Sequence, residues 1–162
     1  MPTIELHRGI DLKYQIHDFK ARDIDYILIS EDTYTNKELK TLTLEAKSNV
    51  INIYVNNLNQ NFTLPSETFL IRVDCPEKVI RLEKRIGSIE VFNNNREIPP
   101  FSLTIDNKLN GRYSGEIQMT LAKMPAREYI NLIGSIAKEQ HGLLLSGFIL
   151  DKEIKFVNNE KK

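Results

Sequence analysis

The stretch from Met124 to Phe156 constrains this chain most, because a helical stripe and the most apolar run lie there side by side. Pro125 suits a first helical position, where its missing N–H costs nothing. Ala126, Ile130, Ile133 and Ala137 then recur at spacings of four and three, widened by Leu132 and Ile136. That spacing predicts an amphipathic helix over 125–141. His141-Gly142 supplies its stop, with Gly142 as the left-handed residue past the last turn. Leu143 to Leu150 is short, apolar and interrupted by Gly147, which predicts a strand buried on both faces. Ile154 and Phe156 alternate with Glu153 and Lys155 in a final, half-exposed strand. A helix laid across a central strand is the expected core.

Upstream, apolar and polar residues alternate over 10–16, 42–47, 51–56, 69–73, 103–105 and 117–121, the period of strands with one wet face. Ile24 to Ile29 is nearly apolar on both faces and reads as a more central strand. Ser48-Asn49 is expected to turn a hairpin between 42–47 and 51–56. Val79, Leu82 and Ile86 follow Pro76 at helical spacing, so 77–86 reads as a short helix in preference to a strand. The expected fold is α+β and β-dominated, with the helix near 125–141 packed on the sheet. That sheet is mostly antiparallel and shaped as a sandwich or a partly closed barrel. The length suits one globular domain, 1–157, followed by a frayed polar tail, 158–162.

Lys plus Arg equals Asp plus Glu at 22 each, so no global field pulls the chain toward nucleic acid or an anionic membrane. The lone Cys75 rules out an internal disulfide and a Cys-based zinc site. His7, His17 and His141 have no metal-ligand spacing, and no metal site or cofactor is expected. The amino terminus lacks a basic region followed by an apolar one, and no apolar run approaches the ~20 residues of a membrane span. A cytoplasmic chain is the expectation. The aromatic residues sit at core spacing and are not interleaved with a basic patch, which argues against nucleic acid but leaves a nucleotide open.

Two constellations could carry chemistry. Glu45-Ala46-Lys47 would place a carboxylate and an ammonium on one face of a strand, with Asp32 or Asp25 upstream. This resembles the acidic-x-Lys signature of metal-dependent nucleases of the restriction-endonuclease type. The resemblance implies that Asp32 and Glu45 hold Mg²⁺ while Lys47 orients water or stabilises charge on the phosphate. The bland reading is a cross-strand ion pair. The second is Arg81-x-x-x-Arg85, followed by Asp106-Asn107-Lys108-Leu109-Asn110-Gly111. It resembles the PilZ family of cyclic-dinucleotide receptors, where such an arginine pair precedes an Asp-x-Ser-x-x-Gly loop; Lys108 stands here in place of the serine. The resemblance implies ligand binding by Arg81, Arg85 and Asp106, whose guanidinium forks suit phosphate and guanine edges.

Neither set converges on a reaction. Balanced charge and many strand edges favour a non-enzymatic binding or assembly protein, acting on a protein partner or on itself as a homo-oligomer. The nuclease, with Mg²⁺ as its cofactor, and the cyclic-dinucleotide receptor are the alternatives.

Overall fold

A computed structural model describes residues 4–28 and 34–160. The fold is α+β, built on a seven-stranded mixed sheet in the order β2-β7-β1-β6-β4-β5-β3. Its strands are β1 (Ile51–Asn56), β2 (Phe69–Leu70), β3 (Val79–Arg81) and β4 (Ser102–Asp106). β5 (Ile117–Thr120), β6 (Ile130–Ile136) and β7 (Glu153–Asn158) complete it. Neighbours pair antiparallel except β1 and β7, which run parallel. Ile51, Phe69, Leu103, Met119, Ile133 and Phe156 come from six different strands yet share one core cluster. A single sheet reaches one core from so many strands only by curling, so a half-barrel replaces the sandwich.

The helix expected over 125–141 is absent; its centre is strand β6. The cause is a β-bulge. Leu103 pairs with Gly134 and Thr104 with Leu132, which leaves Ile133 as the extra residue. A bulge reverses the inward phase of a strand. Ile133 and Ile136 therefore both point inward three residues apart, a spacing that imitates a helix. Buried Asn131 hides the alternation further. The expected central strand over 143–150 is also corrected. It is a short helix, α3 (His141–Leu145 by chain order, after the two helices below), followed by turns, with Leu143, Leu144 and Ile149 buried and Leu145 and Phe148 exposed.

Two further corrections lie near the amino terminus. Residues 10–16 are not a strand: α1 (Leu12–Ala21) starts at Asp11, whose side chain accepts the Lys13 N–H. Its buried residues are Tyr14, Ile16, His17, Asp18 and Ala21, a helical stripe with polar residues at its centre. The strand over 42–47 and its hairpin are replaced by α2 (Asn36–Glu45), opened by a reciprocal capping box between Thr35 and Glu38. The short helix over 77–86 gives way to β3. At the far end, the Asn159 N–H donates to Val55 O at 2.9 Å, and its side chain accepts from Lys13 Nζ at 2.9 Å. No helix among the described residues is long and apolar enough to cross a membrane.

Candidate functional site

The β4–β5 connection gathers the most concentrated set of charged groups in the sheet. Asp106 ends β4, a 3₁₀ segment (Lys108–Tyr113) makes the turn, and Glu116 precedes β5. Asn107 sets the turn, accepting the Leu109 N–H at 3.0 Å on its side chain. The paired backbones bring both carboxyl groups to one end of the sheet, where the Asp106 N–H donates to Glu116 O at 3.0 Å.

Glu116 is buried and surrounded by donors. Arg81 Nε donates to Oε1 at 2.7 Å and Gln118 Nε2 to the same oxygen at 3.1 Å. Arg85 reaches the other oxygen from Nη2 at 3.3 Å. Asp106, also buried, accepts from Asn110 Nδ2 at 2.6 Å. Burial is the main cause that pushes its carboxyl up to about 6, with the Glu116 charge adding to it against Asn110 and the two arginines. A raised carboxyl pKa means that the folded state binds the proton more tightly than the unfolded chain. The stabilisation is then complete below the ordinary 3.8 and is lost as pH rises through about 6. Asp106→Asn is accordingly expected to be about 1–2 kcal/mol more stable than the parent at pH 8 and close to it at pH 4. Denaturant unfolding at both values checks this, and a pH-independent difference sinks it.

Arg81, Arg85 and Asp106 are thus brought together, although Arg81 sits on β3 and Arg85 beyond it, not on one helix. Sequence reasoning missed Glu116, the group they share, and Arg112 and Tyr113 beside them. The guanidinium carbons of Arg85 and Arg112 lie 5.1 and 4.8 Å from the Tyr113 ring centroid. A basic-aromatic pair directly after Gly111 was the available signal.

The other set is described only in part. Asp32 lies outside the described residues, and Lys47 is exposed beyond the end of α2. Glu45 is on the last turn of that helix, not on a strand, and its carboxylate is engaged by His17 Nε2 at 3.0 Å, Asn52 Nδ2 at 3.0 Å and the Tyr54 hydroxyl at 3.2 Å. The Asn52 N–H donates to His17 Nδ1 at 3.2 Å, so the ring proton faces Glu45. Burial holds His17 below its ordinary pKa, while the His17 hydrogen bond holds Glu45 below its own. This cluster joins α1, α2 and β1. Among the described residues no three His, Cys, Asp or Glu side chains are grouped to hold a metal ion.

Residues 41–156 match the family model of the 6-phospho-N-acetylmuramidase C-terminal region, and residues 1–44 match that of its N-terminal region. Two solved structures are similar. One is a conserved protein from a locus in Enterococcus faecalis with an unknown function, 23% identical with a TM-score of 0.67. The other is an uncharacterized B. cereus protein, 22% identical with a TM-score of 0.75. The matches cover 92% and 96% of this chain but 41% and 47% of theirs, so it spans less than half of either. At such identities they show the shared fold. No curated protein matches the chain. The family match overturns the non-enzymatic binding or assembly reading, and neither the nuclease nor the cyclic-dinucleotide receptor agrees with it. The lack of a convergent catalytic set was a poor guide in a chain spanning less than half of its structural relatives. The chain belongs to the 6-phospho-N-acetylmuramidase family.

Proposed function

We propose that this chain serves the hydrolysis of glycosides of 6-phosphorylated N-acetylmuramic acid, and that its sheet offers an anion-holding surface to the substrate. The observation that carries the reading is the C-terminal family model, which spans the sheet from residue 41 to 156. Such a substrate bears a phosphate and the lactyl carboxylate of the muramic ring, and guanidinium forks suit both groups. Arg85 and Arg112 beside Tyr113 are the residues we assign to this task. The Arg85 side chain is 42% exposed, and Arg112 is exposed as well. Arg81 and Arg85 pair with Glu116, and Arg112 against the Tyr113 ring adds a further positive charge beside them.

Glycoside cleavage requires a proton donor and a second carboxylate within reach of the sugar. Glu116 is tied to two guanidiniums and Asp106 is only 5% exposed, so we assign the reacting carboxylates to the family's N-terminal region. The test is hydrolysis of a 6-phosphorylated muramyl disaccharide by an enzyme carrying this chain. Arg85→Ala and Arg112→Ala are each expected to raise KM roughly 10- to 100-fold with little change in kcat, the mark of lost uniform binding. Equal kcat/KM for phosphorylated and unphosphorylated disaccharides overturns the substrate. An unchanged KM in both variants removes the arginine assignment alone.

A further inference from the structure

Ile24 to Leu28 lies outside every helix and strand, and three of its apolar side chains are exposed. Ile24, Tyr26 and Leu28 are 47%, 91% and 89% exposed. Half-buried Ile27 lines a groove with Ile24, Asp25, Lys20, Leu42 and Ala46. A run of β-branched, aromatic and aliphatic residues broken only by Asp25 has the composition of a strand inside a sheet. This one has no sheet: among the described residues, the backbone groups of 25–28 make no hydrogen bond to the seven strands. Adjacent α2 buries none of its ten residues, and Leu39 and Leu44 on it are exposed. The unpaired segment and the uncovered helix lie close in the chain.

We infer that Ile24–Leu28 and α2 are the seat of the family's N-terminal domain, with 24–28 entering a sheet of that domain as one of its strands. The occupant follows from two observations. All of these exposed side chains fall within residues 1–44, the stretch that matches the N-terminal family model. The solved structures with this fold also continue well beyond the part this chain covers. An added strand contributes main-chain hydrogen bonds along both edges and pockets for alternate side chains, here Tyr26 and Leu28 against Ile27. The inference rests on family membership and not on the activity proposed above.

The experiment compares amide hydrogen exchange in this chain alone and in the same chain produced with a family N-terminal domain ahead of it. Amides 25–28 are expected to exchange at least 100-fold more slowly in the longer protein, while β1 and β4 change little. Tyr26→Lys with Leu28→Lys is expected to erase that protection and leave the exchange of β1 and β4 as it was. Equal exchange of 25–28 in both proteins overturns the docking. Protection already present in the shorter chain, appearing with a dimer by sedimentation, gives the seat to a second copy and also overturns it. Exchange is read without substrate, so a protein that protects 25–28 yet fails to hydrolyse the disaccharide separates this inference from the functional one.

Discussion

Gly115→Ala is expected to cost the protein on the order of 4 kcal/mol, which leaves little of a typical domain's stability. Gly115 is buried in the turn ahead of Glu116 at φ +84°, and a Cβ there would sit 2.2 Å from Gly87 O and 2.7 Å from Gly87 N. Both obstacles are backbone. The Gly115 N–H donates to Asp106 O at 2.8 Å and its carbonyl accepts from the Ile86 N–H at 3.1 Å, so neither segment can step aside without breaking a bond. The left-handed conformation adds its own strain for any residue with a side chain. Gly87→Ala is the control, because Gly87 also has positive φ but its Cβ would meet nothing within 4 Å. It should cost about 1–2 kcal/mol. Denaturant titration of the two variants checks the contrast. Equal midpoints would mean that strain alone, and not contact, governs the turn.

Glu116→Ala is the second large effect, expected at about 3–5 kcal/mol. The Glu116 side chain is 5% exposed and Arg81 only 23%, so removing the carboxylate strands a guanidinium already withdrawn from water. Gln118 loses its acceptor too. The comparison is Glu97→Ala, which breaks the pair with Lys123, where both side chains are more than 60% exposed. Solvent screens that pair, and its loss should stay within about 0.5 kcal/mol. Thermal unfolding of both variants at one salt concentration measures the difference. A Glu116→Ala protein that melts with the Glu97→Ala protein would show that the cluster is ornamental to stability. It would also loosen the grounds for treating Arg85 as held in place.

How far the sequence revealed this depended on what each element buries. β1, β4, β5 and β7 alternate cleanly because their inward positions are aliphatic or aromatic, and all four were legible. α1 was not, because His17 and Asp18 occupy its buried face, and Glu45 and Asn52 for the first and His7 and Arg22 for the second make that burial tolerable. α2 was hidden by the alternation of Leu42, Leu44 and Ala46, and its capping box between Thr35 and Glu38 went unread. The site was half legible. Arg81, Arg85 and Asp106 stood out as charges around a loop, while Glu116, the carboxylate that gathers them, lay unremarked in a strand flank.

The sequence by itself determined the class, α+β with a mostly antiparallel sheet, because side-chain alternation is a local consequence of the strand's period of two. Tertiary structure alone decided where that period breaks. The bulge at Ile133 exists only because β6 lies against β4, and the buried polar stripe of α1 only because distant residues meet its hydrogen-bonding needs. Partners far along the chain leave no periodic trace in the segment they rescue.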